Sequence, residues 1–305
     1  MESFQLTTPV VFMVFNNPYT TQRVFEEIRR AQPTVLLVIA DGPRPDRMDD
    51  IDKCAAVRAI VDQVDWPCKV MKNYSEVNLG CGKRVSSGLD WGFRQVEEAI
   101  ILEHDCIPHP SFFRFCQELL ERYRNDSRIM SISGTNFQFG HRRTEYSYYF
   151  SRYLHVWGWA TWRRVWTQYY DYNLALWPEI REKQYLFDIF ASLQADHDWK
   201  HAFRLTSGSN VCAYWDSIFE RVYSGMIDTW DYQLLFASLI QNGLNILPAV
   251  NLVSNAGFGS EASHTTATNE FANIAACLME FPLKHPRCVI RDACADEYTQ
   301  ANHFI

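Results

Sequence analysis

Short apolar runs alternate with longer stretches carrying a helical apolar stripe over about the first 140 residues, and this rhythm constrains the fold more than any other feature. Val10-Val11-Phe12-Met13-Val14-Phe15 is apolar throughout and stops at Asn16-Asn17-Pro18, as a strand buried on both faces does. A helix capped by Thr20 is predicted to run to about Ala31, with Val24, Ile28 and Ala31 on one face. Thr34 to Ala40 reads as a second buried strand, closed by Asp41-Gly42-Pro43, and a helix follows from Asp50 to Val64. Lys69 to Met71 is a short strand, Gly82 to Glu97 a helix, and Ala99 to Leu102 another buried strand. An amphipathic helix from Ser111 to Asn125 and a strand from Ile129 to Ser133 complete the series. Such alternation predicts an α/β fold with a mostly parallel sheet flanked by helices.

Ligands of open α/β sheets sit at the carboxyl ends of the strands. The polar residues expected there are Asn16, Asp41 and the triplet Glu103-His104-Asp105. The second half differs: 146–177 is dense in Trp and Tyr, helical stretches are shorter and strand signals are fewer. Asp231 to Gln241 reads as a helix, Ile246-Leu247-Pro248 as a late strand, and the Ser/Thr/Ala-rich segment from Gly257 as loop. With no repeat, low-complexity tract or clear linker, residues 1–305 are expected to form one domain. Its ligand-binding half is about 1–140 and its aromatic-rich half about 141–305.

Composition excludes several function classes. Hydrophobic residues make up 47%, enough for a full core, and the net charge of −7 argues against a nucleic-acid backbone binder. The nine cysteines include no CxxC pair and no zinc-finger spacing with His, which fits a reduced, cytoplasmic protein. No secretory leader is evident, and no apolar run reaches the roughly 20 residues of a membrane span, so membrane association is expected to be peripheral at most. Aromatics reach 15%, with ten Trp, a content that suits either a Trp-rich core or stacking against sugar rings.

Alternation along a strand projects Glu103 and Asp105 to one side and His104 to the other. Hard divalent cations such as Mn²⁺ or Mg²⁺ use one or two carboxylates plus substrate phosphates, so a nucleotide diphosphate would complete such a site. The plain alternative is an acidic strand end before the turn at Pro108. In Asn78-Leu79-Gly80-Cys81-Gly82-Lys83-Arg84 two glycines permit close backbone approach where a helix starts, and Lys83 or Arg84 could contact a nucleotide. The spacing is not that of a Walker loop; a tight turn with surface cations is the alternative. Asp228-Thr229-Trp230-Asp231 could equally cap the helix that follows it.

These residues, in this order, resemble the GT-A glycosyltransferases, most closely the relatives of N-acetylglucosaminyltransferase I. The likeness covers most of the chain. Val10 to Pro18 resembles the first donor-binding strand, and Ile39-Ala40-Asp41-Gly42 the second, whose Asp contacts the nucleoside. Glu103-His104-Asp105, followed by Pro108-His109-Pro110-Ser111-Phe112-Phe113, resembles the acidic triplet, with His104 where the family has Asp. Gly158-Trp159-Ala160-Thr161-Trp162 resembles the Gly-Trp segment near the donor sugar, Thr229-Trp230-Asp231 the region of the catalytic base, and Ser263-His264 the late His that closes over diphosphate and metal. The resemblance implies a GT-A fold and transfer from a nucleotide-diphosphate sugar, a UDP-sugar above all, to a glycan, glycolipid or other hydroxyl acceptor, with inversion. It implies Asp231 as base, with Asp216 and Glu220 in reserve, and Asp105 and His264 as ligands of Mn²⁺ or Mg²⁺. Asn16, Asp41, Gly80, Lys83, Arg84, Glu103, His104 and Trp159 are then donor contacts, and Trp157 and Trp162 further candidates for the sugar pocket. Two other readings are a sugar-nucleotide nucleotidyltransferase, disfavoured because Asn16-Asn17-Pro18-Tyr19 replaces a Gly-rich loop, and a non-catalytic glycan-binding module.

Overall fold

The computed structural model describes residues 4–190, 208–258 and 271–304. Its strands are β1 (Val10–Val14), β2 (Val35–Ala40), β3 (Lys69–Tyr74), β4 (Glu98–Glu103), β5 (Cys106–Pro108), β6 (Ile129–Ser133), β7 (Tyr148–Ser151), β8 (Trp159–Trp162), β9 (Leu244–Pro248) and β10 (Val253–Asn255). The helices in the first half are α1 (Pro18–Ala31), α2 (Asp49–Val61), α3 (Cys81–Gln95) and α4 (Ser111–Tyr123). Then come α5 (Arg163–Tyr169), α6 (Trp177–Glu182), α7 (Tyr185–Phe190), α8 (Gly208–Tyr223), α9 (Asp231–Ile240) and α10 (Ala293–His303).

Eight strands form one sheet in the order β3-β2-β1-β4-β8-β6-β9-β7, and β5 pairs with β10 in a small separate ribbon. Strands β3, β2, β1 and β4 are parallel neighbours, as the alternation predicts. The apolar runs are unbroken because helices cover both faces. Val10, Phe12, Val14, Leu36, Val38 and Leu102 pack into one core with Val24, Ile28 and Val57 of α1 and α2. Val11, Met13, Leu37, Ile39 and Ile101 face the other, with Val85, Leu89 and Phe93 of α3. All nine cysteines are free. Among the described residues, no helix is long and apolar enough to cross a membrane.

Several expectations need correction. Helix α1 starts two residues before Thr20: Asn17 is its cap, accepting from the Thr20 amide at 3.2 Å, and Pro18 supplies the first turn. Helices α2, α3 and α4 end two or three residues short of the sequence estimate, and β3 runs on to Tyr74. The largest departure lies in the Trp-rich segment. Trp159–Trp162 is β8, which enters the middle of the sheet antiparallel to both β4 and β6. Its four residues are all buried, so of the two readings of the aromatic content, core holds for Trp159 and Trp162. The stretch after 257 is not loop throughout, since α10 closes the described chain, its Asp292 cap accepting from the Ala295 amide at 2.9 Å.

Helix α3 lies close on β2 because Gly88 faces Ile39; a Cβ at Gly88 would stand 2.4 Å from Ile39 Cγ2. Gly88→Val is expected to lower the unfolding free energy by about 1–3 kcal/mol through overpacking. A urea titration measures it, and an unchanged midpoint would mean that α3 does not ride this close to the sheet.

Candidate active site

The register of the parallel strands assembles the site. Met13 lies beside Glu103 and Val14 beside Ala40, so Phe15, Asp41 and Glu103-His104-Asp105 leave the sheet together. They wall a cleft of ≈ 370 Å³ with Gly80, Arg84, Trp157 and Asp228.

One end of the cleft is held by buried acids. Asp41 accepts from the Gly42 and Leu79 amides at 2.9 and 3.0 Å and from Asn78 Nδ2 at 3.0 Å. Burial nevertheless pushes its carboxyl above the ordinary range, the amide hydrogen bonds opposing the rise. Asp50, wholly buried, accepts from Arg44 Nε at 2.6 Å and Asn16 Nδ2 at 2.6 Å. This holds the Arg44 guanidinium over the Phe15 ring, 5.4 Å from its centroid. Asn16 is thus tied to Asp50, and Arg44, not singled out in the sequence, lines the cleft instead.

The start of α3 is organised by a residue from the far half of the chain. Asp228 accepts from the Cys81 amide at 3.0 Å and the Gly82 amide at 2.9 Å. Carboxylate at a helix N-terminus is favoured by the free amides and the helix dipole. The glycines are what admit it: a Cβ at Gly80 would lie 2.7 Å from Asp228 Oδ2, and one at Gly82 2.6 Å from Oδ1. Asp228 therefore caps α3, not the nearby α9, whose own N-cap position is Trp230. Arg84 is buried and donates to the Ala40 carbonyl at 3.1 Å and the Asn73 carbonyl at 2.6 Å, tying the ends of β2 and β3. Lys83 is exposed and does not line the cleft.

At the floor lie Glu103 and Asp105. Burial pushes the Glu103 carboxyl well above its ordinary range, and the charges of Asp105 and Asp231 push it the same way. Burial and the same carboxylates also raise the Cys81 thiol. The chain after β10 folds closely over Asp105: its carbonyl accepts from the Ala256 amide at 2.8 Å, and a Cβ at Gly257 would lie 2.0 Å from Asp105 Oδ2. Only the bare glycine backbone leaves that carboxylate its place. No three His, Cys, Asp or Glu side chains among the described residues gather closely enough to hold an ion on their own. Two oxygen donors at a floor that no Lys or Arg among the described residues pairs with do fit a hard divalent cation that takes the rest of its ligands from phosphate. His264 lies outside the described residues.

Asp231 opens α9 beside this floor. Its Oδ1 accepts from the Thr229 hydroxyl and from the Tyr232 amide, the latter at 2.9 Å. It lines a second, smaller pocket, which shares Trp157 with the first. Trp159 is core, stacked on Trp230 with centroids 5.5 Å apart, and Trp162 donates from Nε1 to the Leu120 carbonyl at 3.2 Å. Asp216 and Glu220 pair with Arg181 at 3.0 and 2.5 Å and line neither cavity. The structure thus brings together Asp41, Gly80, Arg84, Glu103, His104 and Asp105, with Asp231 alongside, and leaves Lys83 and Trp159 out. Arg44 was missed although its partner Asp50 is six residues along the chain, and Asp228, legible as a cap, has its partner in the distant helix α3.

No family model matches the sequence, and no curated protein gives a match. Solved structures do. The mannosyltransferase from Pyrobaculum calidifontis, in complex with GDP-Man and Mn²⁺, is similar at a TM-score of 0.37 and 12% identity over 53% of this chain. The chain spans 46% of that protein's length. Mouse xyloside xylosyltransferase 1, apo form, aligns at a TM-score of 0.35 and 12% identity over 77% of this chain and 82% of its own. A UDP-glucose pyrophosphorylase complexed with UDP-glucose aligns at 0.27 and 13% identity over 48% and 62%.

The Arg44 hydrogen bonds hold the Asp50 carboxyl down at about 2, against its burial and with help from Asn16. A value depressed in the folded state contributes stability above the unfolded carboxyl's pKa of about 4 and loses it as pH falls towards about 2. Asp50→Asn is therefore expected to cost about 2 kcal/mol at pH 7 and well under 1 kcal/mol at pH 2, where the folded carboxyl is about half protonated. Denaturant titrations at the two values check this; a deficit undiminished at pH 2 would mean the carboxylate charge is not what matters.

Proposed function

We propose that the chain is a glycosyltransferase that holds a nucleotide-diphosphate sugar, a UDP-sugar first among candidates, in the larger cleft. The observation that carries this reading is the acidic strand end Glu103-His104-Asp105, set between the Asp41 end of the cleft and Asp231. Asp41, held by two amides, takes the nucleoside end, with the Phe15–Arg44 stack beside it. Gly80, Glu103 and His104 line the path to the sugar. Asp105 is the carboxylate for Mn²⁺ or Mg²⁺. A bound divalent cation supplies the positive charge that the leaving diphosphate requires.

In the transfer, an acceptor hydroxyl oxygen attacks the anomeric carbon as the bond to the diphosphate breaks. The bonding pair leaves with the nucleoside diphosphate, and the hydroxyl proton passes to the free oxygen of Asp231. Attack from the side opposite the leaving group inverts the anomeric centre. A base so placed contributes about 10²–10⁴-fold. Residues 1–305 act as one domain in this reading, the first half holding donor and the second meeting a glycan or glycolipid acceptor. A nucleotidyltransferase is disfavoured by the turn after β1, where Asn16 and Asn17 are committed to Asp50 and to the α1 cap.

Two outcomes are expected. Purified protein with Mn²⁺ releases nucleoside diphosphate slowly from one member of a nucleotide-sugar panel, and chelation stops it; release of pyrophosphate from a nucleoside triphosphate and sugar phosphate would instead support the nucleotidyltransferase. Asp231→Asn, which keeps an oxygen for the Thr229 and Tyr232 donors, lowers turnover by about 10²-fold or more with donor affinity within about threefold. Parallel loss of turnover and affinity, measured by kinetics and calorimetry, would assign Asp231 a structural part.

A further inference from the structure

The second pocket, ≈ 140 Å³, is walled by Phe137, His155, Trp157, Tyr232 and His303, with Asp231 at its edge. It is too small for a drug-sized ligand and suits a single ring. Phe137 organises the wall: its ring meets Trp157 edge-on at 5.1 Å, His155 at 4.5 Å and lies stacked on His303 at 5.0 Å. His155 is pinned there by its backbone, which donates to Ser133 Oγ at 3.0 Å and accepts from it at 2.7 Å. The His155 side chain is 5% exposed, yet its Nε2 has no hydrogen-bond partner among the described residues. His303 Nδ1 is likewise buried without one. Native interiors rarely leave such atoms unpaired, so a ligand group is the natural partner.

The electrostatics restrict what that ligand is. Burial pushes the His155 imidazole well below its ordinary pKa, and burial lowers His303 to about 4. Both rings are therefore neutral near pH 7, and a neutral imidazole can donate from one nitrogen and accept at the other. Among the described residues, no Lys or Arg lines the pocket, and the one charged side chain there is Asp231. An anionic ligand is disfavoured; a neutral, hydroxylated ring with an apolar face fits both the aromatic wall and the orphan nitrogens.

We infer that this pocket is a subsite for a neutral pyranose of the acceptor, with its ring against Phe137 and Trp157 and a hydroxyl hydrogen-bonded to His155 Nε2. The inference rests on the transfer reading, because it places a second hydroxyl of the same ring at Asp231. Its test does not need the donor. Saturation-transfer NMR on the full chain would use the methyl pyranosides of glucose, galactose, mannose and their 2-acetamido forms, with methyl glucuronide as anionic probe. At least one neutral glycoside is expected to give saturable transfer, and methyl glucuronide none. His155→Leu, with a native circular-dichroism spectrum, is expected to weaken that glycoside about tenfold or more, and His155→Gln to recover part of the loss. In the unaltered chain, the ring nitrogen resonance of His155 should shift on titration, which covers the case where variants fail to fold. Absence of binding by every neutral glycoside, or saturation with no movement of the His155 resonance, would overturn the inference. Nucleotide-sugar turnover with no pyranoside signal would sink this subsite and spare the transfer reading, and a pyranoside signal without donor binding would do the reverse.

Discussion

The site depends on one long-range capping interaction, the Asp228 carboxylate on the Cys81 and Gly82 amides. Those residues lie on opposite halves of the chain. Helix α3 belongs to the parallel part of the sheet through its packing on β2, whereas Asp228 sits three residues before Asp231 at the head of α9. The clamp therefore ties the start of α3 to the segment that leads into Asp231. It works only because Gly80 and Gly82 leave room for the carboxylate; Gly80 also has φ 82, which a side chain resists.

This clamp has an electrostatic consequence. A helix N-terminus at the end of a sheet is a natural seat for phosphate, but here the protein's own carboxylate occupies it. The two arginines that line the cleft are committed as well, Arg44 to Asp50 and Arg84 to the carbonyls of β2 and β3. Among the described residues, no salt bridge offsets Glu103, Asp105 or Asp231, and burial with the neighbouring charges makes Glu103 hold its proton more tightly. Under the transfer reading a diphosphate enters a cleft that is already acidic, so its charge has to be met by a cation that both sides bind. On that reading the charge balance of the described residues and the family resemblance favour the same proposal, a divalent cation at Asp105.

Much of this was legible in the sequence where the signal was local. The unbroken apolar runs at Val10, Thr34 and Ala99 gave away strands covered on both faces, and their polar exits, Asp41 and Glu103 to Asp105, do meet in one cleft. What was not legible depended on partners far along the chain. Asp228 looked like a cap for the helix next to it and caps one 146 residues away instead. Arg84 looked like a phosphate contact and is a buried tie between strand ends. Of the sugar-pocket candidates Trp157, Trp159 and Trp162, only Trp157 lines a cleft; the strand that Trp159 and Trp162 form is inserted in the centre of the sheet, where period-two alternation is hidden because all four residues are buried. His155 gave no sequence signal at all, since its meaning lies in an unpaired nitrogen that only the packing around Phe137 creates.

The central claim is that the acidic strand end is a metal and diphosphate seat. Anomalous diffraction at the manganese edge, from crystals grown with Mn²⁺ and UDP, tests it most directly. The account predicts one strong anomalous peak at the Asp105 carboxylate, bridging to the diphosphate, with the uracil end near Asp41. Nucleotide bound with no manganese at Asp105, or with manganese at another group of side chains, would contradict it.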